Sequence, residues 1–303
     1  MKTTATSRKL PATEQFVDLS DYARPVATWL ARQLAATPIH APHVTVVWVV
    51  IGLLGAFAYA RGGYGYALLG ALALQAKNVL DAVDGSLARL QRRPSRIGRF
   101  LDSMSDALIA AAVHVALAVA IAGARSAAYA GLLAGAALVT GLLQGSLFNY
   151  YYVRYRARRG GDVTSRVKER LAEDDRAHYA ERPAALAFLR LLLHGYNWVY
   201  GWQDRLVQRI DAWSAAPLME QGRRAEAERL RDDRTLMTAI SALGPGLSIL
   251  VLDLYTVAGY RHLVLALELY LWTVLAGGTL YATAIVGRLR RVTSQVARRA
   301  WPV

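Results

Sequence analysis

Residues 81–106 read DAVDGSLARLQRRPSRIGRFLDSMSD and carry four aspartates, Asp81, Asp84, Asp102 and Asp106. Asp81, Asp84, Gly85 and Ala88 are spaced i, i+3, i+4, i+7 and share one helix face. Gly98, Asp102 and Asp106 are spaced i, i+4, i+8 and share a second face. The connection between them, about residues 90–96, is polar, basic and broken by Pro94. It is short enough to make the two helices antiparallel neighbours, so two carboxylates from each converge. Clustered carboxylates repel one another unless a cation intervenes. Divalent hard cations take oxygen ligands, and four carboxylates can hold two of them. The other source of charge is the local basic set, Lys77, Arg89, Arg92, Arg93, Arg96 and Arg99, which could pair with the aspartates and orient the loop. Gly85, Ala88 and Gly98 favour the metal reading. They lie on the carboxylate faces and leave room for a ligand, although close helix packing also uses small residues.

The elements that hold these residues read as membrane spans. The chain has 303 residues, is 54% hydrophobic and carries a net charge of +14, a combination that suits a membrane protein with basic loops. Cysteine is absent, which excludes a disulfide framework, a thiol nucleophile and a cysteine metal site. The first 25 residues are polar, so no cleavable signal peptide is expected. Six segments satisfy the length of a span, about 44–60, 64–84, 100–122, 127–152, 235–258 and 263–287. The second and third carry the aspartates. The expected fold is an all-α integral membrane protein of six transmembrane helices, preceded by an N-terminal interfacial amphipathic helix in DYARPVATWLARQLAATP, where Val26, Trp29, Leu30 and Leu34 share a face.

With six spans, all of the 36 Lys and Arg except Arg61, Arg125 and Arg261 fall on one side. The positive-inside rule then sets the termini, the aspartate-rich turn and the long loop in the cytoplasm. Four regions follow: a cytoplasmic segment 1–43, spans one to four within 44–153, an insert 154–233, and the last two spans with a basic tail over 234–303. The insert opens with a highly charged stretch. It continues as AALAFLRLLLHGYNWVYGW, 184–202, whose mixture of Trp198, Trp202, Arg190 and His194 suits a helix lying in the interface. Read instead as a seventh span, it would put the arginines at 288–299 outside, against the charge rule.

The signature of the CDP-alcohol phosphotransferases is D-x2-D-G-x2-A-R-x8-G-x3-D-x3-D, and the chain closely resembles that family: Asp81, Asp84, Gly85, Ala88, Arg89, Gly98, Asp102 and Asp106 occupy all eight fixed positions. Upstream, Ile39, Val44 and Thr45 match a second family stretch, but its Pro-Asn is replaced by Ala41-Pro42. The resemblance implies transfer of a substituted phosphate from a CDP-linked donor to an alcohol with release of CMP, on two divalent metals, Mg2+ or Mn2+. It implies metal ligation by Asp81, Asp84 and Asp102. Asp106 is implied as the metal-adjacent carboxylate acting as general base. Gly85, Ala88, Arg89 and Gly98 are implied to line the nucleotide and pyrophosphate site. In most bacterial members the donor is CDP-diacylglycerol. The expected setting is therefore a bacterial inner (plasma) membrane, in a homodimer, with the site facing the cytoplasm and no nucleic-acid partner. Phosphoryl transfer needs positioning and charge neutralisation more than covalent help, which suits this residue set.

Other residues are read as structural. His114 drifts off the Asp106 face and is taken as a packing residue; Asp253 and Glu268 flank the outer turn near Arg261; Asn149, Tyr150, Tyr151 and Tyr152 form an interfacial belt; Gly131/Gly135 and Gly141/Gly145 are small-residue pairs for helix packing or a dimer face. Two other functions stay open at this point. One is the reverse donor chemistry, with a CDP-headgroup passing its phosphate to a lipid alcohol. The other is an ion channel or transporter whose aspartates line a pathway. Transport favours acids near the bilayer midplane, whereas these cluster at one boundary.

Overall fold

The computed structural model describes residues 10–93, 95–161 and 169–299; Pro94 and part of the charged opening of the insert lie outside these described residues. Among the described residues all regular structure is helical. Helix α1, Arg24–Ala35, is followed by α2, Ala41–Arg61, α3, Tyr64–Leu90, α4, Arg96–Ala122, and α5, Ala127–Arg158. The insert folds as α6, Glu173–His178, α7, Pro183–Val199, α8, Gly201–Met219, and α9, Arg224–Arg231. Then come α10, Arg234–Ser241, α11, Pro245–Ala258, α12, Leu263–Trp272, a π-helical stretch Thr273–Gly278, and α13, Thr279–Arg298.

Among the described residues, four helices are long and apolar enough to cross a membrane: Ala41–Arg61, Arg96–Ala122, Ala127–Arg158 and the continuous Leu263–Arg298. A fifth is added if α10 and α11, bent by 44° at their junction, act as one span. The sequence reading expects six. The remaining segment, α3, has 27 residues, enough length, but Gln75, Lys77, Asn78, Asp81 and Asp84 make it too polar to qualify on composition. The fifth expected span is broken because Pro245, at the first turn of α11, cannot continue the hydrogen bonds of α10.

Local signals set the junctions that aim the signature. Gly62 and Gly63 take φ of 69° and 80°, so the turn from α2 to α3 runs through left-handed backbone that glycine adopts without strain. At the other end of α3, the Arg93 amide donates to the Ala88 carbonyl (2.8 Å), and Ser95 caps α4 by accepting from the Gly98 amide (3.0 Å). The two signature helices are therefore joined by five residues, 91–95, and meet through side chains such as Lys77 and Asp106, while α2 packs against both.

The membrane-level core is built from Trp48, Tyr59, Leu74, Leu87, Leu117 and Ile121, all fully enclosed. Outward, Leu72, Val115, Leu132 and Leu280 are each more than 60% exposed, apolar surface that acyl chains would cover. Helix α1 buries Ala27 and Ala31 and leaves Val26 and Trp29 exposed. Its small residues allow close packing on α3, and Leu30 and Leu34, expected on the same face as Val26 and Trp29, are half-buried against the core instead. The chain before α1 crosses the α10–α11 break: Leu19 N donates to Ser241 Oγ (2.9 Å) and Gly246 N to Ser20 Oγ (3.0 Å). In the insert, α7 packs on the start of α4 through Phe100, Leu189, Leu193 and Tyr196, and Thr293 on α13 donates to the Ser214 carbonyl of α8 (2.7 Å). Glu268, read as structural, forms a two-pronged ion pair with Arg125 (2.9 and 3.0 Å). Asp253 accepts from Gln75 on α3.

Candidate active site

Asp81 comes from α3, and Asp102 and Asp106 from successive turns of α4. One carboxylate oxygen of each lies within 4.8 Å of the others. Lys77, one turn before Asp81, reaches into the same cluster. Its ammonium is 2.9 Å from Asp81 Oδ2, donates to Asp106 Oδ1 and lies 4.6 Å from the centroid of the Trp48 ring. At 4% exposure this ammonium is enclosed, and the two carboxylates and the ring face compensate its lost hydration. Asp84, on the neighbouring turn, faces α2. It accepts from Thr45 Oγ1 (2.9 Å) and Trp48 Nε1 (2.7 Å). The structure thus brings three of the four aspartates to one point and holds the fourth beside them.

All four border one cavity of about 560 Å³. Gly85 and Arg89 line it too, and the Arg89 guanidinium lies across Gly85, 3.5 Å from where a Cβ would stand. Ala88 and Gly98 are not among its lining residues; their backbones are engaged in ending α3 and starting α4. Arg24 reaches α3 from α1, donating to the Ala82 carbonyl (3.2 Å) and Ser86 Oγ (2.9 Å).

Several lining residues are ones that the sequence reading takes chiefly as structural or does not single out at all. Asn149 and Tyr152 of the expected aromatic belt border the cavity, as does His114. The His114 Nδ1 is bonded to the Ala110 carbonyl (2.8 Å), which agrees with its reading as a packing residue. Asp18, Asp21 and Arg24 arrive from the N-terminal segment, and Tyr196 and Tyr200 from the insert. Lys77 alone had a local signal, since i, i+4 to Asp81 puts the two side chains together on a helix. The tyrosines of the insert have no such signal. They reach the site only through the packing of α7 on α4.

Three convergent carboxylates with a fourth adjacent form an all-oxygen donor set. That set suits a hard divalent cation and not a thiolate- or imidazole-seeking metal. A cavity of this size beside it has room for a ligand bearing phosphates, and Arg89 at its edge can pair with one. No curated protein matches the chain closely enough to be compared. The model of the CDP-alcohol phosphatidyltransferase family matches residues 39–208, from the turn before α2 into α8 and including the whole signature. That match spans more than half of the 303 residues, and the chain belongs to this family of membrane transferases that act on phosphate-containing groups.

Proposed function

We propose that the protein makes a phospholipid by moving a phosphatidyl group from CDP-diacylglycerol to an alcohol, with release of CMP. The observation that carries this reading is the convergence of Asp81, Asp102 and Asp106 at the wall of a cavity of about 560 Å³. Asp81, Asp84, Asp102 and Asp106 are the residues that would hold two divalent cations, Mg2+ or Mn2+. When bound, such ions neutralise the charge of the donor pyrophosphate. Gly85 and Arg89 lie on the side where that pyrophosphate and its nucleotide would rest, with Ala88 and Gly98 shaping the helix ends behind them. Asp106 takes the proton of the acceptor hydroxyl. The acceptor oxygen bonds to the phosphorus that bears the lipid, and the bond from that phosphorus to the CMP oxygen breaks. Lys77, bonded to Asp106, keeps that carboxylate oriented toward the cavity.

The membrane arrangement that goes with this reading has six spans, α3 and the bent α10–α11 pair included. Both termini, the α3–α4 connection and the 154–233 insert then face the cytoplasm of a bacterial cell. CDP is water-soluble and the acyl chains are not, so a site at the cytoplasmic boundary serves both ends of the donor. A homodimer would suit the Gly131/Gly135 face of α5, where a Cβ at either position would meet open space.

The test is CMP release by purified protein in lipid, with CDP-diacylglycerol, Mg2+ or Mn2+ and a panel of alcohols, beside Asp106→Asn. Release that needs metal and one alcohol and is lost in the variant supports the transfer. No release with any alcohol, but release from CDP-headgroup donors with a lipid alcohol, would reverse the donor assignment. Failure with both would favour an ion pathway instead.

A further inference from the structure

The insert grips the signature helix at its first turns. Arg96 Nη2 lies 3.1 Å from Glu169 Oε2, Arg96 Nε 2.9 Å from Asp175 Oδ1, and Arg99 Nη2 2.6 Å from Glu169 Oε1. The Glu169 and Asp175 side chains are only 2% and 3% exposed. Carboxylates withdrawn this far from water depend on their partners, and two arginines one turn apart on a helix repel unless acids lie between them. The guanidinium of Arg99 is also seated on rings, 4.2 Å from the Phe100 centroid and 5.3 Å from that of Tyr196. One turn on, Tyr200 OH donates to the Ser103 carbonyl (3.2 Å).

These contacts run from residue 96 to residue 103, ending where Asp102 enters the site. Beyond residue 103, α4 is held by the Lys77–Asp106 pair and by apolar side chains such as Ile109, Val113 and Leu117 packed against α2 and α5. Rotation matters here. A side-chain oxygen about 6 Å from the axis moves about 2 Å when a helix turns by about 20°, close to the whole length of a magnesium–oxygen bond. Ion pairs at the start of α4, with the hydrogen bond from Arg96 Nη2 to Glu169 and that from Tyr200 to the Ser103 carbonyl, restrict that freedom from the side of the insert.

We infer that residues 169–200 of the insert are a clamp that fixes the rotation of α4, with Glu169 and Tyr200 as positioning residues for Asp102 and Asp106. The inference deepens the transferase reading and rests on it for the role of the two aspartates. It also gives the insert a task that the signature alone does not supply.

The test uses the full chain in lipid nanodiscs and the variants Glu169→Ala, Glu169→Asp and Tyr200→Phe. Three quantities are read: amide hydrogen exchange over 96–106 against 127–150, Mn2+ affinity by electron paramagnetic resonance, and kcat and KM for CMP release. Glu169→Ala should speed exchange over 96–106 by about tenfold with 127–150 unchanged. It should weaken Mn2+ binding about tenfold, within the range seen when residues supporting metal ligands are removed, and lower kcat more than it raises KM. Glu169→Asp should recover most of each change, and Tyr200→Phe should give a smaller change in the same direction. Exchange over 96–106 and Mn2+ affinity within about twofold of wild type would overturn the clamp. If Glu169→Ala loosens the whole bundle, Tyr200→Phe, which removes one hydroxyl, decides by the same readings. Wild-type protein that binds Mn2+ but releases no CMP from any CDP donor counts against the transferase reading, while exchange and Mn2+ affinity still judge the clamp.

Discussion

Two clusters of charge are built from acids and bases on neighbouring helices, and they are composed differently. Where α5 meets α8 and α9, Arg154, Arg158 and Arg231 face Asp211, Glu228 and Asp232. Arg154 and Arg231 lie 3.2 and 2.9 Å from Asp211, and Arg158 lies 3.0 Å from Asp232. Tyr150 and Tyr151 donate to the two oxygens of Asp211 (3.0 and 2.9 Å). Burial works against the charge of Glu228, yet Arg154, Arg158 and Arg231 together hold its carboxyl below the usual range. Three cations meet three carboxylates here, and each acid has at least one arginine within ion-pair distance. In the signature cluster one ammonium serves Asp81 and Asp106 while Asp102 stands with them, beside open volume. Carboxylates gathered at the wall of a cavity can take up added positive charge. Those already paired with arginines hold the fold together instead.

Exchanging the roles of the two clusters should fail in opposite ways. The largest effect belongs to Asp102→Asn, which should cut CMP release by roughly 100- to 10,000-fold. It should abolish the rise in melting temperature that Mn2+ gives the wild type, without lowering the metal-free melting temperature. Asp211→Ala should do the reverse. Stripping a common partner from Arg154 and Arg231 should cost about 3–5 kcal/mol of stability, read in thermal unfolding, while kcat per folded molecule holds. A large fall in kcat for the folded Asp211→Ala protein would erase the distinction between the clusters. Lys77→Met should sharpen it. With the internal ammonium gone the carboxylates repel more strongly, so the metal-free protein should melt lower and the Mn2+-induced rise should grow by a few degrees.

The smallest effect concerns Asp204 on α8, an acid beside the clamp. Burial, then the charge of Glu169, push its carboxyl up to about 6 against the opposing pull of Arg99, Arg205 and a hydrogen bond from Tyr196. Below about pH 4 it is protonated in folded and unfolded chains alike and costs nothing. As pH rises from about 4 to 6 the unfolded chain releases the proton first, so stability falls; above that the loss is constant. Asp204→Asn should therefore stabilise the protein by about 1 kcal/mol at pH 7.5 and not at all at pH 4. A gain that is equal at both values would point to a packing effect of the amide.

The parts of this molecule that were legible in advance are those written in local spacing. The i, i+3, i+4 and i+4, i+8 patterns specify two helix faces, and the short basic connection leaves α3 and α4 close enough at their joined ends for those faces to meet. Asp81, Asp102 and Asp106 converge as that geometry requires. Asp84 does not point with them, because Thr45 and Trp48 on α2 offer it donors, and no spacing within 81–106 encodes what α2 presents. The fifth span was legible as an apolar run, while its 44° bend hangs on Pro245 and on the Ser20 contact made from the far end of the chain. The pairs Arg96–Glu169 and Arg99–Glu169 join residues about 70 positions apart. Chemical type alone made those arginines look like partners for the nearby aspartates. Local periodicity determines faces, and only tertiary packing determines which face meets which.

Helix α5 has 32 residues, and the run from Leu263 to Arg298 has 36. At 1.5 Å per residue they are about 48 and 54 Å long, against a hydrocarbon layer of about 30 Å. Both therefore continue as stiff shafts roughly 20 Å past the bilayer, and the insert is bolted to them by the Arg154–Asp211 pair and the Thr293–Ser214 bond. A thicker bilayer stands such shafts more upright and a thinner one tilts them. The insert then travels with the shafts and pulls on the start of α4. On the clamp reading, bilayer thickness would act through these shafts on the aspartate geometry, and the transferase would respond to the membrane around it.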